Sequence, residues 1–147
     1  MNQAIKKPQV LFHQFKKKSG RDLLVYACRL VEKGYKQGTS SIYIHCNNEE
    51  EANEIDALLW TFRQESFVPH SLISKENGSP IEIGWQENQA SNIIAIVNLS
   101  NQIPEASKDS DKIHEIVEND EDKKKIAREK WKSYKSNGFI IKSHKAD

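Results

Sequence analysis

The sequence predicts one α/β domain, a mostly parallel central sheet with helices on both faces in three layers. Three observations predict it. Segments of strand and helix character alternate through residues 9–62 with short connections, the pattern of parallel strands joined by crossover helices. The run Ile93, Ile94, Ala95, Ile96 and Val97 is apolar without alternation, as in a strand covered on both faces. The 147 residues contain no internal repeat, low-complexity block or linker, so a single domain over 1–147 is expected.

Each element has its own signal. Residues 9–15 (QVLFHQF) are rich in β-formers and end before a Lys-Lys-Lys-Ser-Gly turn, which predicts a first strand. From 21 to 37, Leu23, Leu24, Ala27, Leu30 and Val31 recur at a period near 3.6, which predicts a helix ended near Gly38. Residues 41–46 (SIYIHC) form a second strand. Asn47 or Asn48 then caps a helix whose first turn holds Glu49, Glu50 and Glu51 at the positive end of its dipole, and which runs to Trp60 or Phe62. Residues 64–70 read as irregular, 76–80 as a polar turn, and 81–85 and 92–99 as strands, the second of them central. A polar loop over 100–111 leads to a short strand at 112–117, then to a helix capped by Asn119 and closed by Gly138. Residues 139–142 form a short apolar tail that packs back on the body.

Composition narrows the function. Lys and Arg number 22 against 21 Asp and Glu, a net charge of +1, so no global field draws the chain to nucleic acid or anionic membrane. The longest strongly apolar runs, 23–25 and 93–97, are far too short to span a bilayer. The opening residues lack the apolar stretch and small-residue cleavage site of a secretory signal, so a cytoplasmic location is expected. In that reducing setting Cys28 and Cys46 are expected to be free thiols.

Chemistry is sparse. The turn after the first strand has one glycine, Gly20, where a dinucleotide fingerprint or P-loop needs several for close phosphate approach, so no nucleotide-binding loop is expected. The five histidines (His13, His45, His70, His114 and His144) show no i, i+4 pair of the kind zinc sites use. His13 and His45 are placed on neighbouring strands, where they approach one another without a third ligand. No nucleophile-elbow pattern surrounds Ser66 or Ser71. No catalytic residue, metal or cofactor is assigned.

Two features read as binding surfaces. Residues 60–70 crowd Trp60, Phe62 and Phe67 with Val68 and Pro69 around a helix end, and two readings stand: closure of the core, or an interface hot spot. In the last helix, Lys124, Arg128, Trp131 and Lys135 stand at i, i+4, i+7 and i+11 and share one stripe. Three readings stand there. The bases complement the dipole while Trp131 and Tyr134 pack inward with Ile126 and Ala127; or the stripe walls a pocket for an acidic peptide with an apolar end; or it contacts single-stranded nucleic acid directly. A small nucleotide-binding enzyme on a doubly wound sheet is the alternative of another class.

Two blocks carry a family resemblance. One is Asp56-Ala57-Leu58-Leu59-Trp60, then Glu65-Ser66-Phe67-Val68-Pro69-His70 and Pro80-Ile81-Glu82-Ile83-Gly84-Trp85; the other is Ala127-Arg128-Glu129-Lys130-Trp131-Lys132-Ser133-Tyr134-Lys135 with Gly138-Phe139. With these blocks the chain resembles the chi subunit of bacterial DNA polymerase III holoenzyme from about residue 9 to 139. The resemblance implies a Rossmann-like fold without nucleotide and a non-catalytic role in DNA replication. It also implies three partners: the psi subunit, the clamp loader reached through psi, and the acidic C-terminal tail of single-stranded DNA-binding protein, which ends in a Pro-Phe carboxylate. A repair helicase is a further partner associated with chi-like proteins. Carried over by motif position, the tail pocket uses Val117, Lys124, Arg128 and Trp131, and the psi-facing surface uses Phe67, Trp60 and Pro69. Trp131 stands where the motif has tyrosine, and Glu118 follows Val117 where proline is expected, which adds a negative charge near an acidic ligand.

Overall fold

Residues 9–15 bury side chains on both faces, and the strand they form organises the half of the sheet that carries the last helix. The computed structural model describes residues 8–16, 20–62, 68–73, 79–86 and 93–146. Phe67, the lysines of the basic turn at 17–18 and most of the 76–80 turn lie outside the described residues. The elements in chain order are β1 (Gln9–Phe15), α1 (Gly20–Lys36), β2 (Ile42–His45), α2 (Glu49–Thr61), β3 (His70–Leu72), β4 (Ile81–Gly84), β5 (Ala95–Asn98), a 3-10 turn (Glu105–Asp109), β6 (Lys112–Val117), α3 (Glu121–Ser136) and β7 (Ile140–Ala146).

Among the described residues the strands form one sheet in the order β3-β4-β2-β5-β6-β1-β7, with every pairing parallel. The apolar strand β5 is central, as its unalternating sequence predicts. α1 and α2 cover one face, where Leu24, Val31, Ile55 and Leu59 pack on Ile44, Ile83 and Val97. α3 covers the other, where Tyr134 packs with Phe12, Tyr43, Ile96 and Ile113. The result is a three-layer, Rossmann-like α/β/α fold. Both cysteines are buried and free, and burial pushes the Cys28 thiol up to about 12.

Several sequence expectations need correction. Asn119 does not cap α3; the Asp120 carboxylate accepts the Lys123 N–H at 3.1 Å, while the Asn119 amide donates to the Lys16 carbonyl at 2.7 Å. The helix still ends at Gly138, whose φ of 83° is a left-handed conformation that a side chain would strain. The apolar tail is a full edge strand: β6, α3 and β7 form a crossover that carries the chain past β1 to its far side. The irregular segment ends in the three-residue strand β3, too short for its sequence to display alternation. His13 and His45 do not meet, because α1 carries the chain over two strand positions before β2. His45 instead bonds the Tyr43 hydroxyl at 2.7 Å.

His13 has other company. Its Nε2 lies 2.9 Å from Nδ1 of His114 on β6, and its Nδ1 lies 2.8 Å from Nε2 of His144 on β7 and 2.6 Å from the Tyr26 hydroxyl on α1. These contacts tie three strands and a helix together. Among the described residues no group of three or more His, Cys, Asp or Glu is placed to hold a metal ion. Burial, then the neighbouring His144 and Lys112, lowers His13 from 6.5 to about 4; burial, then His13, Lys112 and His144, lowers His114 to about 3.

α3 is held by a buried polar network. The Glu115 carboxylate on β6 is 2% exposed. It accepts from Lys130 Nζ at 2.9 Å, from the Tyr134 hydroxyl at 2.5 Å and from the Asn98 amide at 2.9 Å. Lys130 Nζ also donates to the Ser100 carbonyl at 2.5 Å. Among the described residues no buried side-chain nitrogen or oxygen lacks a hydrogen-bond partner, the condition under which buried charge is tolerated.

Two predictions follow from these clusters. Unfolded histidines take up protons near pH 6.5, whereas His13 and His114 in the folded chain do so only near 4 and 3, so stability is full above about 6.5 and falls as pH drops through that window. Thermal melts should give a Tm lower by about 5 °C or more at pH 5 than at pH 7.5, with a smaller difference in His114→Phe. Glu115→Ala removes the carboxylate partner of the buried Lys130 ammonium, and urea unfolding should register a loss of about 3–5 kcal/mol. A loss below about 1 kcal/mol would mean that the network does not clamp α3.

Candidate functional site

The stripe on α3 faces an open cavity of about 740 Å³ between that helix and the carboxyl end of β1. The helix sorts its residues by period. Lys130 and Tyr134, at i and i+4, turn inward to Glu115. Lys124, Arg128 and Trp131 turn to the cavity, joined there by Val117 from the end of β6. The four residues assigned from the sequence to a single pocket are therefore brought together by the fold. Lys135, the last member of the stripe, does not line the cavity.

Trp131 and Tyr134 divide between two roles. Tyr134 is buried to 1% and its hydroxyl is raised well above its usual range by burial and by the Glu115 carboxylate it bonds. Trp131 keeps 36% exposure, its ring centroid 5.1 Å from that of Phe12. The inward-packing expectation thus holds for Tyr134, while Trp131 is an aromatic wall resting on a buried ring. Among the described residues Arg128 makes no ion pair, so its guanidinium fork is available to a carboxylate ligand. Lys124 lies 3.7 Å from Glu121 in an exposed pair of small energetic weight. Glu118 also lines the cavity, as its place after Val117 implies.

The opposite wall was not legible in the sequence. Phe12, Gln14, Phe15 and Lys16 from the end of β1, and Lys145 from β7, line the cavity across from α3. The β1 residues lie more than a hundred positions from the helix in sequence, and they meet it and Lys145 through parallel pairing of β1 with β6 and β7. The basic turn after β1 was the one available signal, and on its own it reads as a solvated loop. An apolar floor, an aromatic wall and cations on both sides suit a short peptide with an apolar end and negative charge.

Trp60 lies elsewhere, at the end of α2. It is 55% exposed, with its ring centroid 4.8 Å from that of His70, so of the two readings surface replaces core. His70 is braced by the Val68 carbonyl at 2.6 Å and the Asp56 carbonyl at 3.2 Å, and half-buried Pro69 lies between Val68 and His70. Trp60 at the end of α2 thus stands beside the braced loop that carries Pro69. Phe67, the third residue assigned there, is outside the described residues.

Comparison with known proteins is consistent along the chain. Residues 8–142 match the family model described as DNA polymerase III chi subunit, HolC. The chain is 32% identical over 122 residues to DNA polymerase III subunit chi of Pseudomonas aeruginosa, covering 83% of this chain and 85% of that protein. It is 29% identical over 117 residues to the subunit of the same name from Escherichia coli, covering 78% and 79%. With the Haemophilus influenzae subunit chi it shares 32% over 118 residues, covering 78% and 81%. With the family pattern running through β1, the Trp60 region and α3, the chain belongs to the DNA polymerase III chi subunit family.

Proposed function

We propose that the chain is a non-catalytic adaptor of DNA polymerase III whose α3 cavity binds the acidic C-terminal tail of single-stranded DNA-binding protein. The surface around Trp60, Pro69 and Phe67 pairs with the psi subunit, which joins the chain to the clamp loader. The observation that carries the reading is the convergence of Val117, Lys124, Arg128 and Trp131 on one open cavity.

The chemistry supports the match. A tail ending in a Pro-Phe carboxylate needs an apolar slot for its ring, which Val117, Phe12 and Ala127 offer beside Trp131. Its carboxylate needs a fork of donors, which Arg128 presents, with Lys124 adding a second charge one turn away. Glu118 opposes the ligand from the β6 side and lowers the affinity such a pocket would otherwise reach. Direct contact with single-stranded nucleic acid would also use cations and an exposed aromatic. A concave site with one exposed indole suits a single terminal side chain better than successive stacked bases.

Fluorescence titration with a synthetic acidic peptide ending in Pro-Phe tests the pocket. Arg128→Ala should weaken binding by about tenfold or more, and added salt should weaken the unmutated protein's binding in the same direction. Unchanged affinity would remove Arg128 from the pocket, and tight salt-sensitive binding of an oligonucleotide in a gel shift would favour the nucleic-acid reading. For the second surface, Trp60→Ala should fail to co-purify with psi while keeping the circular dichroism of the parent. Normal recovery of the pair would place the psi contact elsewhere.

A further inference from the structure

On the sheet face that carries α1 and α2, the helix layer ends before the strands do. A helix is about 10–12 Å across and strands lie about 4.8 Å apart, so two helices cover about four of the seven strands. α1 also runs on a diagonal. Near its start the Tyr26 hydroxyl meets His13 on β1 at 2.6 Å; near its end Gly34 stands against β2, where an added Cβ would lie 3.2 Å from the Ile42 side chain. The amino ends of β6, β1 and β7 are left without a helix over them among the described residues. We propose that this uncovered face is a third interaction surface, and that it takes an amphipathic helix of a partner protein, with an apolar stripe and acidic flanks.

Strand register sets what the face displays. Lys112, Gln9 and Ile140 align in one row across β6, β1 and β7, and His114, Leu11 and Lys142 in the next. The row after those contains His13 and His144, which α1 reaches through Tyr26. Side chains two positions apart on a strand point the same way, so all three rows share the α1 side of the sheet. Val10, Ile113 and Ile141 point the other way, towards Tyr134 of α3. Ile140 is 41% exposed, and Ile94, just before β5, is 38% exposed. With Trp60 and Trp131 they are the exposed large hydrophobics among the described residues, and they lie on neither surface described so far. Beside them a cavity of about 380 Å³ runs under the last turns of α1, with Leu11, Leu30 and Ile94 along it.

Width and charge select the occupant. From β6 to β7 is two strand spacings, about 10 Å, which is the width of one helix. A helix laid there completes the layer that α1 and α2 begin, and it buries its apolar stripe on Leu11, Ile94 and Ile140. Lys33, Lys112 and Lys142 stand exposed around those three side chains, and Asp111 is the one carboxylate lining the cavity among the described residues. Acidic flanks complement that rim. A second copy of the chain would set lysine against lysine. The chain's own first seven residues carry Lys6 and Lys7 and no acid. Single-stranded nucleic acid stacks its bases on aromatic rings, and among the described residues no Phe, Tyr or Trp lines the cavity.

The test titrates the 15N-labelled full chain with two designed helical peptides of about five turns, each with a leucine stripe, one flanked by Glu and the other by Lys. The Glu-flanked helix is expected to shift the amides of Leu11, His114 and Lys142, and the Lys-flanked helix to leave them in place. Ile140→Glu is expected to weaken the Glu-flanked helix about tenfold and Lys142→Glu about threefold, while Arg128→Ala and Trp60→Ala bind it as the parent does. Spectra of the two Glu variants that match the parent away from β7 show that the fold is kept. Equal binding of the two helices, no shift with either, or shifts confined to the α3 cavity or the Trp60 region overturns the proposal. So does any other occupant: shifts at these amides with protein concentration alone mean a second copy, shifts with oligo-dT mean nucleic acid, and nuclear Overhauser contacts from Ile5 to Leu11 or Ile140 in the free protein mean the chain's own first segment.

Discussion

Glu115 and Lys130 meet at 2.9 Å at the contact between β6 and α3, and the position of α3 on the sheet follows from that pair. The ion pair by itself adds little net stability, since two buried charges lose hydration that their attraction only partly returns. Its value is in placement. Glu115 stands two residues before Val117, and Lys130 two residues after Arg128, so the bond that closes one face of the helix orients the residues on the other. Tyr134 and Asn98 occupy the remaining oxygen, which leaves the carboxylate one satisfied arrangement.

The unequal layers explain where the cavity forms. Among the described residues two helices share one face of a seven-stranded sheet, while α3 alone serves the half of the other face above β6, β1 and β7. One helix packs at about 10 Å from a sheet and spans only a few strands at 4.7–4.9 Å spacing, so the end of β1 projects past its cover. Phe12 fills the inner part of that gap and carries Trp131 on its ring; beyond it the walls part and the cavity opens. At the carboxyl ends of β5 and β6, where open α/β sheets place ligands, Asn98, Ser100, Glu115 and Lys130 are already bonded to one another.

Electrostatics in this chain is local. A net charge of +1 supports no long-range steering, yet Lys16 after β1, Lys124, Arg128 and Lys132 on α3 and Lys145 on β7 gather on one cavity that Glu118 also lines. Such a site acts within a Debye length, about 8 Å at physiological salt, which suits recognition of a short charged segment already brought near. The exposed Trp60 surface lies on a separate element, α2, so the two proposed contacts use different side chains.

The sequence by itself determined most of the elements, β3 and β7 excepted, because helix and strand periods and caps are local properties. It read β1 and β6 to the residue, placed the ends of α1 and α2 within a residue or two, and put the apolar β5 at the centre of the sheet. It also determined the α3 stripe, since residues at i, i+4 and i+7 share a face whatever the helix packs against. Only the tertiary structure decided what that stripe faces. The wall of Phe12, Gln14, Lys16 and Lys145 depends on parallel register between strands remote in sequence, and no local pattern carries that register. The same holds for His13, His114 and His144, which look scattered in the chain and are joined by strand pairing. Asn119 and Asp120 were equally good caps by residue type, and the choice fell to Asp120 because the Asn119 amide is taken by the carbonyl at the end of β1.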